Sequence, residues 1–405
     1  MSLLLLTLSV AAVALGWNAV RTTRGRFGPW WFPALLTGEL APFHAAGQLL
    51  LAAGFWWAGW AGGWAGRTGL ALLGVSIVLL AVNHLRGLGT RRVLESAVAE
   101  ATGHPVRMPP ARWTRMLRPY PAPPGSIEVV RDAGYGPDPA HRLDRFSIAG
   151  GGGGRPVLLQ VHGGGWTGGR RDQQARPLVH RMAAAGWVVY SISYRLSPRA
   201  TFPDHLVDVK RAIAWIRRHG REHGADPSFL AITGGSAGGQ LAALAALTSD
   251  RPEYQPGFED ADTAVQACVP LYGVHDLLDR SGTRPKWPYL SRYVLKAEPA
   301  EQPALWDAAA PVRAARSDRP PFLIVHGSAD SLVRPGESRR LAAALRAEGP
   351  VPVGLAEIPG ATHGFDALHS LRAERTVDGI QMVLEHLWER HRASQDESQD
   401  EWVAG

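Results

Sequence analysis

The segment Gly234-Gly235-Ser236-Ala237-Gly238 reads G-x-S-x-G, the pattern of a serine nucleophile on a tight strand-to-helix turn. Residues 229–233 ahead of it are apolar and β-rich, and residues 240–247 behind it are good helix formers. Such an elbow lifts Oγ clear of a sheet and tolerates only small neighbours, which the flanking glycines and alanine supply. A serine hydroxyl is a weak nucleophile until a base takes its proton, so the chemistry requires a histidine and a group that orients it. His363 lies in Gly360-Ala361-Thr362-His363-Gly364-Phe365 and Asp330 in His326-Gly327-Ser328-Ala329-Asp330, each just beyond an apolar β-rich run. The order Ser236, Asp330, His363 is the one such an elbow in a parallel sheet needs, with each residue at a strand's carboxyl end. Asp276, Asp307 and Asp366 compete for the acid's role, but no strand leads directly to the first two. His162-Gly163-Gly164-Gly165-Trp166 follows another run, residues 157–161. Glycines there let backbone N–H groups approach a developing oxyanion, Ala237 N–H would add a donor from beside the nucleophile, and His162 itself reads as a structural histidine. These residue types in this pattern imply acyl transfer through a covalent serine intermediate.

The elements that must hold these residues alternate in type. Residues 157–161, 188–193, 229–233, 265–271, 322–325 and 353–358 are strand-like, and 205–218, 240–247, 336–346 and 371–389 are helical in pattern. Strands apolar on both faces, alternating with helices, predict an α/β fold with a mostly parallel, helix-covered sheet. Residues 273–320 join two strands with Trp287, Tyr289 and Tyr293 among them and are expected to lid the pocket. The five glycines 150–154 lack the G-x-x-x-x-G-K-[ST] pattern of a phosphate loop and read as a turn. Cys268 is the single cysteine, sits in an apolar run, and is expected in the core. None of the 15 histidines falls in an H-E-x-x-H pattern, and the chemistry calls for neither metal nor cofactor.

Ahead of this unit, residues 1–20, 40–66 and 68–85 carry no Asp, Glu, Lys or Arg, and each is long enough to cross a bilayer core of roughly 30 Å. Trp17, Trp30, Trp31, Trp56, Trp57, Trp60 and Trp64 cluster here, as expected of rings that settle at headgroup level. Arg21, Arg24 and Arg26 follow the first stretch, Arg67 alone separates the second and third, and Arg86, Arg91, Arg92, Arg107, Arg112, Arg115 and Arg118 follow the third. Positive charge retained inside predicts three crossings, an external N-terminus and a cytoplasmic catalytic unit. Residues 31–43, broken by Pro33 and Glu39, are interfacial or a re-entrant pass. The net charge of +7 is then a match to anionic headgroups, and no nucleic-acid motif accompanies it. The expected division is a membrane region 1–92, an Arg/Pro-rich linker 93–125, a catalytic domain 126–391 and an unstructured polar tail 392–405.

Residues 129–389 resemble the hormone-sensitive-lipase-like and feruloyl-esterase-like (BD-FAE type) α/β hydrolases, especially bacterial esterases with an N-terminal membrane segment. The matching motifs are HGGGW at 162–166, YRLSP at 194–198, GGSAGG at 234–239, HGSADSLV at 326–333 and HGF at 363–365. The resemblance implies a serine carboxylesterase with Ser236, Asp330 and His363 as triad and Gly164, Gly165 and Ala237 as oxyanion donors. Its expected partners are a small-molecule or lipid ester and the membrane. An amidase, formamidase or acyltransferase would use the same constellation, and a non-catalytic binding protein on this fold would lack a triad member. Two departures stand out. Gly235 occupies a place where many lipase-like members carry an acid, and membrane segments replace the usual N-terminal cap helices.

Overall fold

A computed structural model describes residues 1–21, 30–280, 282 and 287–404, with side chains described through residue 397. Arg24 and Arg26, and residues 281 and 283–286 of the expected lid, lie outside the described residues.

Four apolar helices come first: α1 (Ser2–Val20), α2 (Trp31–Glu39), α3 (Ala41–Trp57) and α4 (Gly63–Leu88). α1 and α4 run parallel. Ser2 Oγ donates to Trp60 O at 2.7 Å at one end, Ser76 Oγ to Ala12 O at 3.0 Å midway, and Arg86 Nη1 to Val20 O at 2.9 Å at the other. Glycine sets their separation, because a Cβ on Gly69 would lie 2.8 Å from Leu5 Cγ. The expected stretches 40–66 and 68–85 need correction. Gly59 and Gly63 adopt positive φ, so the chain turns between Trp57 and Gly63, and Arg67 lies inside α4. By length and composition, Ser2–Val20 and Gly63–Thr102 could cross a membrane, whereas α3 has 17 residues.

Next come α5 (Thr90–Thr102) and α6 (Trp113–Met116). The linker expected over 93–125 is corrected here, because α5 is a layer of the α/β unit. Leu94, Ala97, Val98 and Ala101 form a buried i, i+3, i+4, i+7 stripe between charged residues. The stripe seats α5 so close to the sheet that a Cβ on Gly354 would meet Ala97 O at 2.1 Å.

The α/β unit continues as β1 (Ile127–Gly134), β2 (Arg142–Ile148), β3 (Arg155–Val161), α7 (Arg176–Ala184), β4 (Val188–Ile192), α8 (Asp204–His219), β5 (Ala225–Gly235) and α9 (Ala237–Leu247). It ends with β6 (Ala267–Leu271), α10 (Pro303–Ala308), β7 (Phe322–Gly327), α11 (Gly336–Ala347), β8 (Val353–Ile358) and α12 (Leu371–Ala404). The eight strands lie in the order β1-β2-β4-β3-β5-β6-β7-β8, with β1–β2 and β2–β4 antiparallel and the other pairs parallel. Alternate residues of β3 serve opposite cores. Val157, Leu159 and Val161 belong to one core with Leu206 and Ile213 of α8 and Leu241 of α9, while Leu158 belongs to the other with Leu94 of α5, Met182 of α7 and Leu384 of α12. Cys268 is buried in β6, as expected.

α12 does not stop near residue 389 but runs to Ala404, so the tail expected to lack structure is helical. No proline or glycine interrupts residues 380–404, and their Ala, Gln, Glu and Arg content favours helix. Gln395 Nε2 donates to Ser228 Oγ at 3.0 Å, beside His391, and fixes the first turn of this extension to the domain.

Candidate active site

Ser236 sits between β5 and α9 with φ 57° and ψ −121°. That conformation costs a serine on the order of 1–3 kcal/mol and persists only where the surroundings dictate it. The surroundings do so on two sides. Ser236 N–H donates to Leu271 O of β6 at 2.9 Å, and a Cβ on Gly238 would lie 2.1 Å from Val161 O of β3. The start of α9 is therefore wedged between neighbouring strand ends, where only glycine fits.

His363 follows β8 and Asp330 follows β7, and His363 Nδ1–H donates to Asp330 Oδ2 at 2.7 Å. The other carboxylate oxygen accepts from Leu332 N–H and Val333 N–H, both at 2.9 Å. Burial alone would push this carboxyl up, but the charges and hydrogen bonds of His363 and His326 hold it down to about 2. A carboxylate depressed on folding contributes stability that is fully present above its unfolded value of roughly 4 and is lost as pH falls toward 2. The acid therefore stays ionised beside His363 throughout the neutral range.

The glycine loop separates its amides by function. Gly163 N–H is taken by Gln174 Oε1 at 2.7 Å. Gly164 and Gly165 adopt φ of 129° and 61°, line the same cavity as Ser236, and have no acceptor for their N–H groups among the described residues. A Cβ on Gly164 would lie 2.2 Å from Gly168 O, so no larger residue holds this turn. Trp166 anchors the loop through Nε1 to Gln240 Oε1 of α9 at 3.0 Å. His162 faces away, stacked on Tyr194 with ring centroids 4.5 Å apart and Nδ1 2.8 Å from Gly163 O. Burial lowers its pKa to about 4, so it is a neutral structural group, as the sequence indicates.

Ser236, His363, Gly164 and Gly165 share a cavity of about 500 Å³. From the expected lid it receives Val274, Trp287 and Tyr289. Trp31, Phe32, Leu35 and Tyr272 also line it and were not legible as site residues, whereas Asp366, which lines it too, is one of the competitors for the acid's role. Trp31, Phe32 and Leu35 of α2 form one wall, with the Trp31 ring edge-on to His363 at 6.3 Å. Tyr272 and Asp366 form another part, with the Tyr272 ring 4.7 Å from His363 and its hydroxyl donating to Asp366 Oδ1. Burial holds the tyrosine pKa well above its usual value, so the phenol keeps the proton it donates, and burial also raises the pKa of Asp366. Tyr272 also accounts for Gly235, since a Cβ there would meet Tyr272 Oη at 2.7 Å. The phenol fills the space that an acidic side chain before the serine would need. Of the competing acids, Asp276 and Asp307 are both paired with Arg280, and neither lines the cavity.

A buried latch holds α2 in place. Ser370 Oγ donates to Glu39 Oε2 at 2.6 Å, Arg372 Nη1 lies 3.4 Å from Glu39 Oε1, and Arg372 Nη2 donates to Asn83 O at 2.6 Å. Asn83 Nδ2 in turn donates to Gly38 O at 2.9 Å. One guanidinium thus ties α2, α4 and α12 together.

Residues 143–345 match the family described as BD-FAE, a span that includes Gly164, Ser236 and Asp330 and stops short of His363. Esterase LipQ of Mycobacterium tuberculosis is 42% identical over 275 residues, which are 67% of this chain and 62% of that protein. The probable carboxylic ester hydrolase LipM of the same organism is 45% identical over 243 residues, 60% of this chain and 56% of that protein. The chain thus spans about three fifths of the length of the curated relatives it matches. Among solved structures, a butyrate-bound thermophilic esterase from Thermogutta terrifontis is similar with a TM-score of 0.53 at 27% identity, covering 65% of this chain and 94% of that one.

Proposed function

Because this chain belongs to the BD-FAE family, we propose that it is a membrane-anchored serine carboxylesterase working through Ser236, His363 and Asp330. One observation carries the reading. A serine on a strained elbow and a histidine already bonded to a buried carboxylate face one cavity, beside two glycine amides with no acceptor among the described residues. Ser236 Oγ attacks the ester carbonyl while His363 Nε2 takes its proton. The carbonyl oxygen becomes an oxyanion held by the N–H groups of Gly164, Gly165 and Ala237. Collapse of this intermediate breaks the bond to the alkoxy oxygen, which leaves as the alcohol with the proton from His363. Water, deprotonated by the same histidine, then releases the acid and restores Ser236. Asp330 fixes the Nδ1–H tautomer, so that Nε2 is the free base. The names of LipQ and LipM favour an ester over an amide substrate. Fluorophosphonate treatment of the purified protein is expected to place one adduct on Ser236, located by peptide mass spectrometry. An unlabelled Ser236 would refute the assignment.

The membrane reading has three crossings, α1, α3 and α4, with α2 at the interface. Supporting it, Ser2 and Trp60 meet at one end of the bundle while Val20 and Arg86 meet at the other, beside the catalytic unit. At 17 residues, α3 is about 25 Å long, enough for a thin or locally adapted bilayer. Arg86, Arg91 and Arg92 lie at the catalytic end, which favours a cytoplasmic catalytic unit. A reporter fused after Arg92 is expected to be active only if it is a cytoplasmic reporter. Activity of a periplasm-dependent reporter at that point would reverse the topology.

A further inference from the structure

The cavity wall formed by α2 belongs to the apolar N-terminal region rather than to the hydrolase unit. α2 is bonded to α1 through Asn18 Nδ2 and Trp30 O at 2.8 Å, and only Leu40 separates it from α3. Phe32 lines the cavity and yet is 50% exposed, so it stands at the mouth. α3, which follows α2 in the chain, also exposes apolar side chains, Phe43, Leu49 and Leu50. A second segment marks the same level. Trp113, Leu117 and Tyr120 are exposed and interleaved with Arg112, Arg115 and Arg118, a mixture suited to the boundary between lipid and water. Met116 from that segment and Phe43 from the start of α3 line one small cavity, which brings the boundary segment to the base of the bundle next to α2.

We infer that the substrate is a fatty-acyl ester dissolved in the bilayer, which enters past Phe32 and lays its acyl chain against Trp31, Phe32 and Leu35. The inference rests on the esterase and membrane readings above. A chain moving from lipid to this wall never crosses water, so it gains nothing from the hydrophobic effect on entry. Preference must then come from how the chain packs against the wall, and at about 500 Å³ the cavity falls in the range of roughly 300–1,000 Å³ that small-ligand sites occupy. A short water-soluble ester would reach Ser236 but leave the α2 wall unfilled.

The test uses the full chain in phosphatidylcholine vesicles, with p-nitrophenyl decanoate and p-nitrophenyl acetate as substrates. Active sites are counted by fluorophosphonate titration, so a misfolded variant is recognised before its rate is read. Phe32→Ser, and in parallel Trp31→Leu, is expected to lower the decanoate-to-acetate ratio of kcat/KM by roughly tenfold, the scale of losing a few methylene contacts. Raising phosphatidylcholine tenfold at constant total ester is expected to lower the decanoate rate by about the same factor, since the enzyme samples ester by its fraction of the surface. An unchanged ratio in both variants, or a decanoate rate indifferent to lipid dilution, overturns the inference while acetate hydrolysis leaves the esterase reading standing. Absence of Ser236 labelling together with no turnover of either ester removes the esterase reading, and this inference with it.

Discussion

Ser236→Ala is expected to reduce ester turnover by on the order of 10⁶ while leaving the thermal midpoint close to that of the unaltered protein. The magnitude is that of losing a triad nucleophile, where nothing else can form the acyl intermediate and only binding and oxyanion contacts remain. The stability expectation comes from the geometry. The Ser236 side chain makes no capping hydrogen bond to α9, and the bonds that fix the elbow are made by its backbone N–H and carbonyl, which alanine retains. Alanine also accepts the same positive φ at a cost similar to that of serine. The measurement pairs turnover of a soluble acyl ester with a thermal melt of each protein. A variant that melts normally and keeps near-normal turnover would show that the elbow serine is not the nucleophile.

Asp330→Asn is expected to cost about 10⁴ in turnover, the loss seen when a triad histidine is left in the wrong tautomer. The amide can still accept from Leu332 and Val333 N–H through its oxygen. That orientation turns its NH₂ toward His363 Nδ1, which must then become an acceptor and move its proton to Nε2, where a base is needed. Asp307→Asn is the comparison, because Asp307 is a partly exposed partner of Arg280 and Arg313 outside the cavity. Its turnover should stay within about threefold of the starting protein, as surface ion pairs contribute little. Asp276→Asn should act on stability instead, since Asp276 is buried against Arg280. Turnover at saturating ester for the three variants decides the matter. A large loss in Asp307→Asn with little in Asp330→Asn would move the acid to the other side of the pocket.

Residues 322–325 could be read as a strand because a strand buried on both faces is a continuous apolar run, here Phe-Leu-Ile-Val. The elbow and the glycine loop were legible because their chemistry demands glycine at fixed places, and Gly164 and Gly238 have no room for a Cβ. β1 and β2 gave no such signal. β1 is an antiparallel edge strand with Glu128, Arg131 and Asp132 exposed, and its polar residues hide the alternation. α5 was obscured differently, its stripe of Leu94, Ala97, Val98 and Ala101 sitting among arginines and glutamates that read as part of a linker. The meeting of Trp31 with His363 and of Tyr272 with Asp366 has no local trace at all. Such contacts depend on where whole elements dock, and neither periodicity nor motif spacing records that.

The Glu39–Arg372 latch bears on how this protein should be prepared at the bench. Cutting away the apolar leader is the usual way to obtain a well-behaved hydrolase domain. Here a cut after Gly89 would keep α5 on the sheet but remove Trp31, Phe32 and Leu35, opening one side of the reaction chamber to water. It would also strip Glu39 and Asn83 from the guanidinium of Arg372. Rates measured on that fragment would describe an unroofed pocket, and a substrate profile drawn from them would belong to the fragment alone.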